Sequence, residues 1–166
     1  MIPSDQELQR LAEQVGERVL ERGQVLVTAE SCTAGWIAKL CTDRPGSSAW
    51  YRGGAVVYDD ALKVALLGVR PATLAEHGAV SDVTAREMAT GALAWLGGSV
   101  SVAVTGIAGP SGGTVAKPVG TVWLAWAAPG PRGDSVRVLH RRYDGDRDAV
   151  RRQAVADALA GMLGSE

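Results

Sequence analysis

Cysteine and histidine are scarce in this chain, two of each in 166 residues, and that scarcity removes disulfide scaffolds and zinc modules from consideration. Cys32 and Cys41 fall on one expected helix, whose rise separates their Cα atoms by roughly 13 Å, beyond the reach of a disulfide. Without clustered partners they read as reduced thiols, and no metal or other cofactor is expected. No apolar run approaches the length of a membrane span, and Met1 to Arg10 lacks the basic and apolar regions of a signal peptide. A cytoplasmic protein with no membrane partner is the expectation. A charge excess is missing too: 17 Lys and Arg against 18 Asp and Glu leave a formal net charge of −1, with no general pull toward nucleic acid. The six arginines between Arg137 and Arg152 can form a basic face, but nearby acids and the lack of an aromatic series among them argue against a nucleic-acid partner. Internal repeats and low-complexity linkers are also absent, so residues 1–166 read as a single domain, long enough to bury a core without staples.

What is present is a globular composition, 46% hydrophobic with 21 glycines, arranged in alternating strand and helix patterns. Ser4-Asp5-Gln6-Glu7 fits a capping box, and Leu8, Leu11, Ala12, Val15 and Val19 draw one apolar stripe before Gly23. Val25 to Ala29 reads as a buried strand, and Thr33 to Thr42 as a helix with Trp36, Ile37 and Leu40 as its bulky apolar members. A second strand is expected over Gly54 to Tyr58, a short helix capped by Asp59 or Asp60 through Leu67, and another opened by Pro71 and ended at Gly78. Ser81 caps a longer helix to about Leu96, and a third strand runs from Ser99 to Thr105. Gly120 to Ala128 and Ser135 to Tyr143 form a hairpin, and a last helix starts near Asp146 with Val150, Ala154, Val155, Ala158, Leu159 and Met162 inward and Arg147, Arg151 and Arg152 outward. Early strands separated by helices imply parallel pairing and the hairpin adds an antiparallel pair. The fold class is therefore α/β, a three-layer α/β/α sandwich with a mixed, mostly parallel sheet, whose strand order periodicity does not reveal.

Ala29-Glu30-Ser31-Cys32-Thr33-Ala34-Gly35 joins the first strand to the following helix. Ser31 is thus expected at a helix N-terminus, where unpaired N–H groups favour an oxyanion, although a serine there can also act as a plain cap. Cys32 beside it is a second nucleophile candidate, since a helix start favours a thiolate. A serine nucleophile needs a base. His77 at a helix end and His140 in mid-strand offer poor placement. Lys63, five positions beyond Tyr58 across a strand-to-helix turn, can instead take the proton if its ammonium is made acidic by burial, or it can be an ordinary solvated lysine. The loop Gly106-Ile107-Ala108-Gly109-Pro110-Ser111-Gly112-Gly113 matches neither the dinucleotide nor the P-loop pattern, yet Thr105, Gly106 and Gly109 lie beyond a strand's carboxyl end, where open α/β sheets bind ligands. Arg147, opening the last helix, can meet a phosphate.

Taken together, Ala29-Glu30-Ser31-Cys32-Thr33, Tyr58 with Lys63, His77-Gly78-Ala79-Val80-Ser81, Thr105-Gly106-Ile107-Ala108-Gly109-Pro110, Lys117-Pro118-Val119-Gly120-Thr121 and Gly145-Asp146-Arg147 resemble the CinA C-terminal domain family, which includes stand-alone nicotinamide-nucleotide amidohydrolases. The resemblance runs from about Leu8 to Leu163. It implies hydrolysis of the carboxamide of nicotinamide mononucleotide in pyridine-nucleotide salvage, with Ser31 as nucleophile and Lys63 and Tyr58 as its catalytic partners. Cys32, Thr33, Thr105, Gly106 and Gly109 would contact the substrate, Arg147 its phosphate, and the protein would form a homo-oligomer. The alternative is a catalytically silent nucleotide-binding or protein-interaction domain linked to competence or DNA damage. Two positions depart from the common pattern: Ala34 stands where many relatives have a glycine, and Asp59-Asp60 replaces Ser-Asn or Thr-Asn, placing negative charge near Lys63 unless Asp60 points away.

Overall fold

Ser4 opens the first helix, α1 (Asp5–Glu21), through the reciprocal bonds of a capping box: Glu7 N–H donates to Ser4 Oγ at 3.3 Å and Ser4 N–H to Glu7 Oε2 at 2.7 Å. The computed structural model describes residues 1–131 and 133–164. After α1 come β1 (Leu26–Glu30), α2 (Trp36–Thr42), β2 (Tyr51–Val56), α3 (Asp60–Leu67), α4 (Pro71–His77), α5 (Asp82–Leu96), β3 (Val100–Gly106), β4 (Thr121–Ala128), β5 (Ser135–Arg142) and α6 (Arg147–Leu163). Ser81 and Asp146 cap α5 and α6 with their side chains, as their sequence positions imply.

The five strands form one sheet in the order β2-β1-β3-β4-β5. β1 pairs in parallel with β2 and with β3, whereas β3–β4 and β4–β5 are antiparallel. Only β4 is reversed, so four of the five strands point one way. The hairpin pairs from Ala128 with Ser135 down to Thr121 with Arg142. Alternation along each strand divides the core. Leu26, Val102, Val104, Leu124 and Trp126 face α1, α2 and α6, where Leu8, Val15, Ile37, Val155 and Leu159 meet them. Val27, Ala29, Ala103 and Ala125 face α5 with Ala85, Met88, Ala89 and Ala92. The small residues on this second face bring backbones close: Ser101 Oγ donates to the Ala89 carbonyl at 2.7 Å, and a Cβ on Gly91 would lie 1.9 Å from the Leu67 carbonyl oxygen.

Three expectations are corrected. The second strand runs from Tyr51 to Val56, not from Gly54 to Tyr58: Tyr51 and Gly53 pair with Leu26 and Val27, and the pairing with β1 ends at Glu30 and Val56. Gly54 is a packing position, since a Cβ there would sit 2.1 Å from Thr28 Oγ1. α2 begins only at Trp36, after a turn in which Ala34 (φ 51°) and Gly35 (φ 87°) are left-handed. Arg151 and Arg152 do not leave the protein body. Their guanidinium carbons lie 5.3 and 5.1 Å from the Trp36 ring centre, and Arg152 joins α6 to α1 through Asp5 while also pairing with Asp148.

The topology sets the site. The carboxyl ends of β1, β2 and β3 lie along one edge of the sheet, with Glu30 registered against both Val56 and Val104. β5 ends at the same edge and leads directly into α6. Loops from four strands therefore converge there, at the position where open α/β sheets place their ligands.

Candidate active site

Ser31 follows the last residue of β1 and is tied to the sheet by its own N–H, which donates to the Val104 carbonyl at 3.0 Å. It does not cap α2, as its place before a helical pattern suggested. The chain first makes the turn Ser31–Gly35, held inside by Ala34 N–H to Ser31 O at 3.1 Å and Trp36 N–H to Thr33 O at 3.1 Å. The α2 N-terminus is taken by a residue that sequence reasoning left out. Glu30 Oε2 accepts from the N–H groups of Gly35 at 3.0 Å and Ile37 at 3.1 Å, and Oε1 from Ala38 at 2.8 Å. Burial raises the pKa of this carboxyl above its ordinary value, while the amides of Ala38, Ile37 and Gly35 and the Thr33 hydroxyl work in the opposite direction. Its sequence signal was a carboxylate on the last position of a strand, on the same side as Leu26 and Thr28 and so aimed at the helix that follows.

Lys63 is placed by α3. Asp59 caps that helix by accepting from Ala61 N–H at 2.7 Å, which turns Lys63 inward until only 1% of it is exposed. Its Nζ donates to the Tyr58 carbonyl at 3.3 Å and to Asp60 Oδ1 at 3.1 Å. Asp60 does not point away; it forms an ion pair with Lys63 from a half-exposed position. Among the described residues no hydrogen bond joins Lys63 to Ser31. The solvated-lysine alternative is excluded by this burial, and Tyr58 itself stands exposed at the rim.

Ser31, Cys32, Tyr58, Lys63, Thr105, Gly106 and Arg147 line one pocket of about 260 Å³, together with Asp60, Ala79, Val80 and Ala108. Arg147 crosses its mouth, donating from Nη1 to the Gly109 carbonyl at 2.8 Å and from Nη2 to Tyr58 Oη at 3.2 Å. Gly109 thus supports the arginine instead of lining the pocket. Thr33 also stays out of the lining: it is fully buried, and its carbonyl accepts from Arg151 Nη2 at 3.2 Å. The Thr105 hydroxyl is already used, donating to the Ala79 carbonyl at 2.8 Å. Together with Lys117 Nζ, which donates to the His77 carbonyl at 2.6 Å, it fixes the 77–81 segment as a pocket wall. Gly106 answers to packing, since a Cβ there would lie 2.6 Å from Val122 Cγ2. A larger cleft of about 490 Å³ between α1, α2 and α6 holds Trp36, Arg151 and Arg152 but none of the serine and lysine chemistry.

The rival nucleophile and bases do not fit. Burial pushes the Cys32 thiol up to about 12, with the Glu30 charge adding to the shift, so the thiolate expected at a helix start is disfavoured. His140 stacks on Trp123 with ring centres 4.5 Å apart. Neither it nor the exposed His77 lines the pocket. Among the described residues, no three His, Cys, Asp or Glu side chains are grouped to hold a metal, and no helix is long and apolar enough to cross a membrane.

Comparison with known proteins matches residues 8–165 to the model of the CinA C-terminal domain. The chain is 51% identical over 156 residues to the nicotinamide-nucleotide amidohydrolase PncC of Escherichia coli K12, covering 94% of this chain and 93% of that protein. It is 49% identical to the protein of the same name from Pseudomonas putida, covering 92% of this chain and 93% of the relative. Among solved structures, the competence/damage inducible protein CihA from Agrobacterium tumefaciens superposes with a TM-score of 0.90 at 40% identity, over 98% of this chain and 96% of that one.

Proposed function

Because the chain belongs to the CinA C-terminal domain family, we propose that it hydrolyses the carboxamide of nicotinamide mononucleotide to nicotinic acid mononucleotide and ammonia, as the names of its bacterial relatives indicate for them. The observation that carries this reading is the meeting of Ser31, Lys63, Tyr58 and Arg147 in one pocket. Ser31 Oγ attacks the carboxamide carbon, and its proton passes to Lys63 acting as the base beside Tyr58. Backbone amides near Ser31 and Gly106 would stabilise the developing oxyanion; the Ser31 N–H itself is already committed to Val104. Loss of one such donor typically costs on the order of 100-fold in rate. Lys63 returns the proton to the departing nitrogen, ammonia leaves, and water cleaves the acyl-serine to the carboxylate. Arg147 holds the substrate phosphate at the mouth.

The proposed setting is cytoplasmic pyridine-nucleotide salvage by a homo-oligomer, with no nucleic-acid or membrane partner. A specific observation favours a second reading, nucleotide binding without turnover: Lys63 Nζ is engaged by Asp60 at 3.1 Å and by the Tyr58 carbonyl, and among the described residues no hydrogen bond joins it to Ser31. One assay separates the two. Wild-type protein is expected to release ammonia from nicotinamide mononucleotide, and Ser31→Ala to abolish release while still binding the nucleotide. Nucleotide binding without ammonia release by the wild type would establish the second reading.

A further inference from the structure

We infer that Glu30 is a positioning residue, whose buried carboxylate staples the turn that presents Ser31 to the substrate. This rests on the reading of Ser31 as the nucleophile. Glu30 is 1% exposed and, among the described residues, forms no ion pair with a cation. It accepts from three backbone amides, those of Gly35, Ile37 and Ala38, and the Thr33 hydroxyl beside it favours the same charged form. The side chain immediately before Ser31 therefore reaches over the nucleophile's own turn and grips its far end. The remaining fastenings complete the clamp: Ser31 N–H on Val104, the two bonds inside the turn, and Arg151 on the Thr33 carbonyl. Two left-handed residues, Ala34 and Gly35, lie within the stapled span.

An ordinary helix cap works from the residue that flanks the helix. Gly35 flanks α2 and offers no side chain, so the cap comes from across the turn, and the position of Ser31 is coupled to it. Both carboxylate oxygens are needed as acceptors. A glutamine can keep one carbonyl oxygen toward Gly35 and Ile37 only by turning its NH₂ toward the Ala38 N–H, donor against donor. An aspartate keeps the charge but is one methylene short.

The test measures ammonia release from nicotinamide mononucleotide and labelling of Ser31 by a fluorophosphonate probe in wild type, Glu30→Gln and Glu30→Asp, with circular dichroism to verify folding. Displacing a reacting group by about 1 Å costs on the order of 100-fold. The expected result is a kcat lowered by roughly that factor in both variants, with KM changed less than about threefold because the Arg147 end of the pocket is untouched, and with Ser31 labelling slowed in parallel. A folded Glu30→Gln protein with wild-type kcat and labelling rate overturns the inference, as does a loss confined to KM. On the unmodified protein, slow hydrogen exchange at Gly35, Ile37 and Ala38 is expected, and rapid exchange there overturns the staple even if neither variant folds. Absence of ammonia release by the wild type, with Ser31 still labelled, would reject the substrate assignment and leave the Glu30 comparison to be decided by the labelling rates. If Ser31 is not labelled either, both readings fall.

Discussion

Replacing Arg147 by alanine separates phosphate recognition from chemistry. The guanidinium stands at the pocket mouth with two N–H groups committed, one to Gly109 O at 2.8 Å and one to Tyr58 Oη at 3.2 Å. Arginine carries five such donors, so three remain for a phosphate without breaking the existing bonds. Those bonds also hold the side chain still, reducing the entropy lost when the ligand arrives. An enclosed charge-assisted hydrogen bond contributes ~1.5–3 kcal/mol, whereas an exposed ion pair contributes about 0–1 kcal/mol. Arg147 is solvent-exposed, so screening moves it toward the lower range, and about 1–2 kcal/mol is the reasonable expectation. Arg147→Ala should therefore raise KM for nicotinamide mononucleotide and lower kcat/KM by roughly 5- to 30-fold. Nicotinamide riboside, lacking the phosphate, should react poorly with wild type and lose little more with the variant. Ammonia release measured with both substrates at low and moderate salt provides the assay, and the difference should shrink as salt rises. Equal proportional losses for nucleotide and riboside would refute the assignment, showing that Arg147 acts only by bracing Tyr58 and the Gly109 loop.

Lys63→Arg should abolish ammonia release almost as fully as Ser31→Ala, since arginine keeps the charge but cannot act as a neutral base; near-wild-type turnover would reduce Lys63 to an electrostatic role. Ala34→Gly should stabilise the fold by about 1 kcal/mol, because Ala34 is exposed and left-handed at φ 51° and glycine removes the Cβ penalty. For a domain of this size that is a rise in Tm of about 2–4 °C, and a fall would show that the strain is absent. Cys41, like Cys32, is pushed up to about 12 from an ordinary value of 9.0 by burial. With folded values above unfolded ones, the stabilisation is fully present below pH 9 and is lost as pH rises through about 12. Thermal melts should therefore fall steeply above pH 9, and Cys41→Ala should flatten the slope; an unchanged slope would remove the thiol from the cause.

Legibility followed the range of the interactions. The capping box at Ser4, the caps at Ser81 and Asp146 and the β4–β5 hairpin were readable because each is decided within a few residues. The order β2-β1-β3-β4-β5 was not, since it depends on which distant strands meet. The extent of β2 was missed for a related reason: the strand reads locally from Gly54, and only pairing with Leu26 and Val27 of the neighbouring strand brings Tyr51 and Gly53 into the sheet. Arg151 and Arg152 looked solvent-facing on α6 alone, and only the packing of α6 against α1 and α2 gave them Trp36, Asp5 and the Thr33 carbonyl.

The candidate site shows the same division in two buried ionisable side chains, Lys63 and Glu30. Lys63 could be singled out because its partners are local: Tyr58 is five positions away and Asp60 three, so spacing across one turn suggested a cluster even though burial could not be read. Glu30 has equally local partners, but they are backbone amides, which leave no trace in side-chain pattern. The apolar spacing of Trp36, Ile37 and Leu40 identified α2 correctly while hiding where it starts, and the start decides whether the helix amides face a substrate or the protein itself. They face Glu30. The α2 amides bound by Glu30 are therefore not free to meet an anion in the pocket. The carboxylate that removes the helix end from catalysis is also the one that fixes the shape of the Ser31–Gly35 turn.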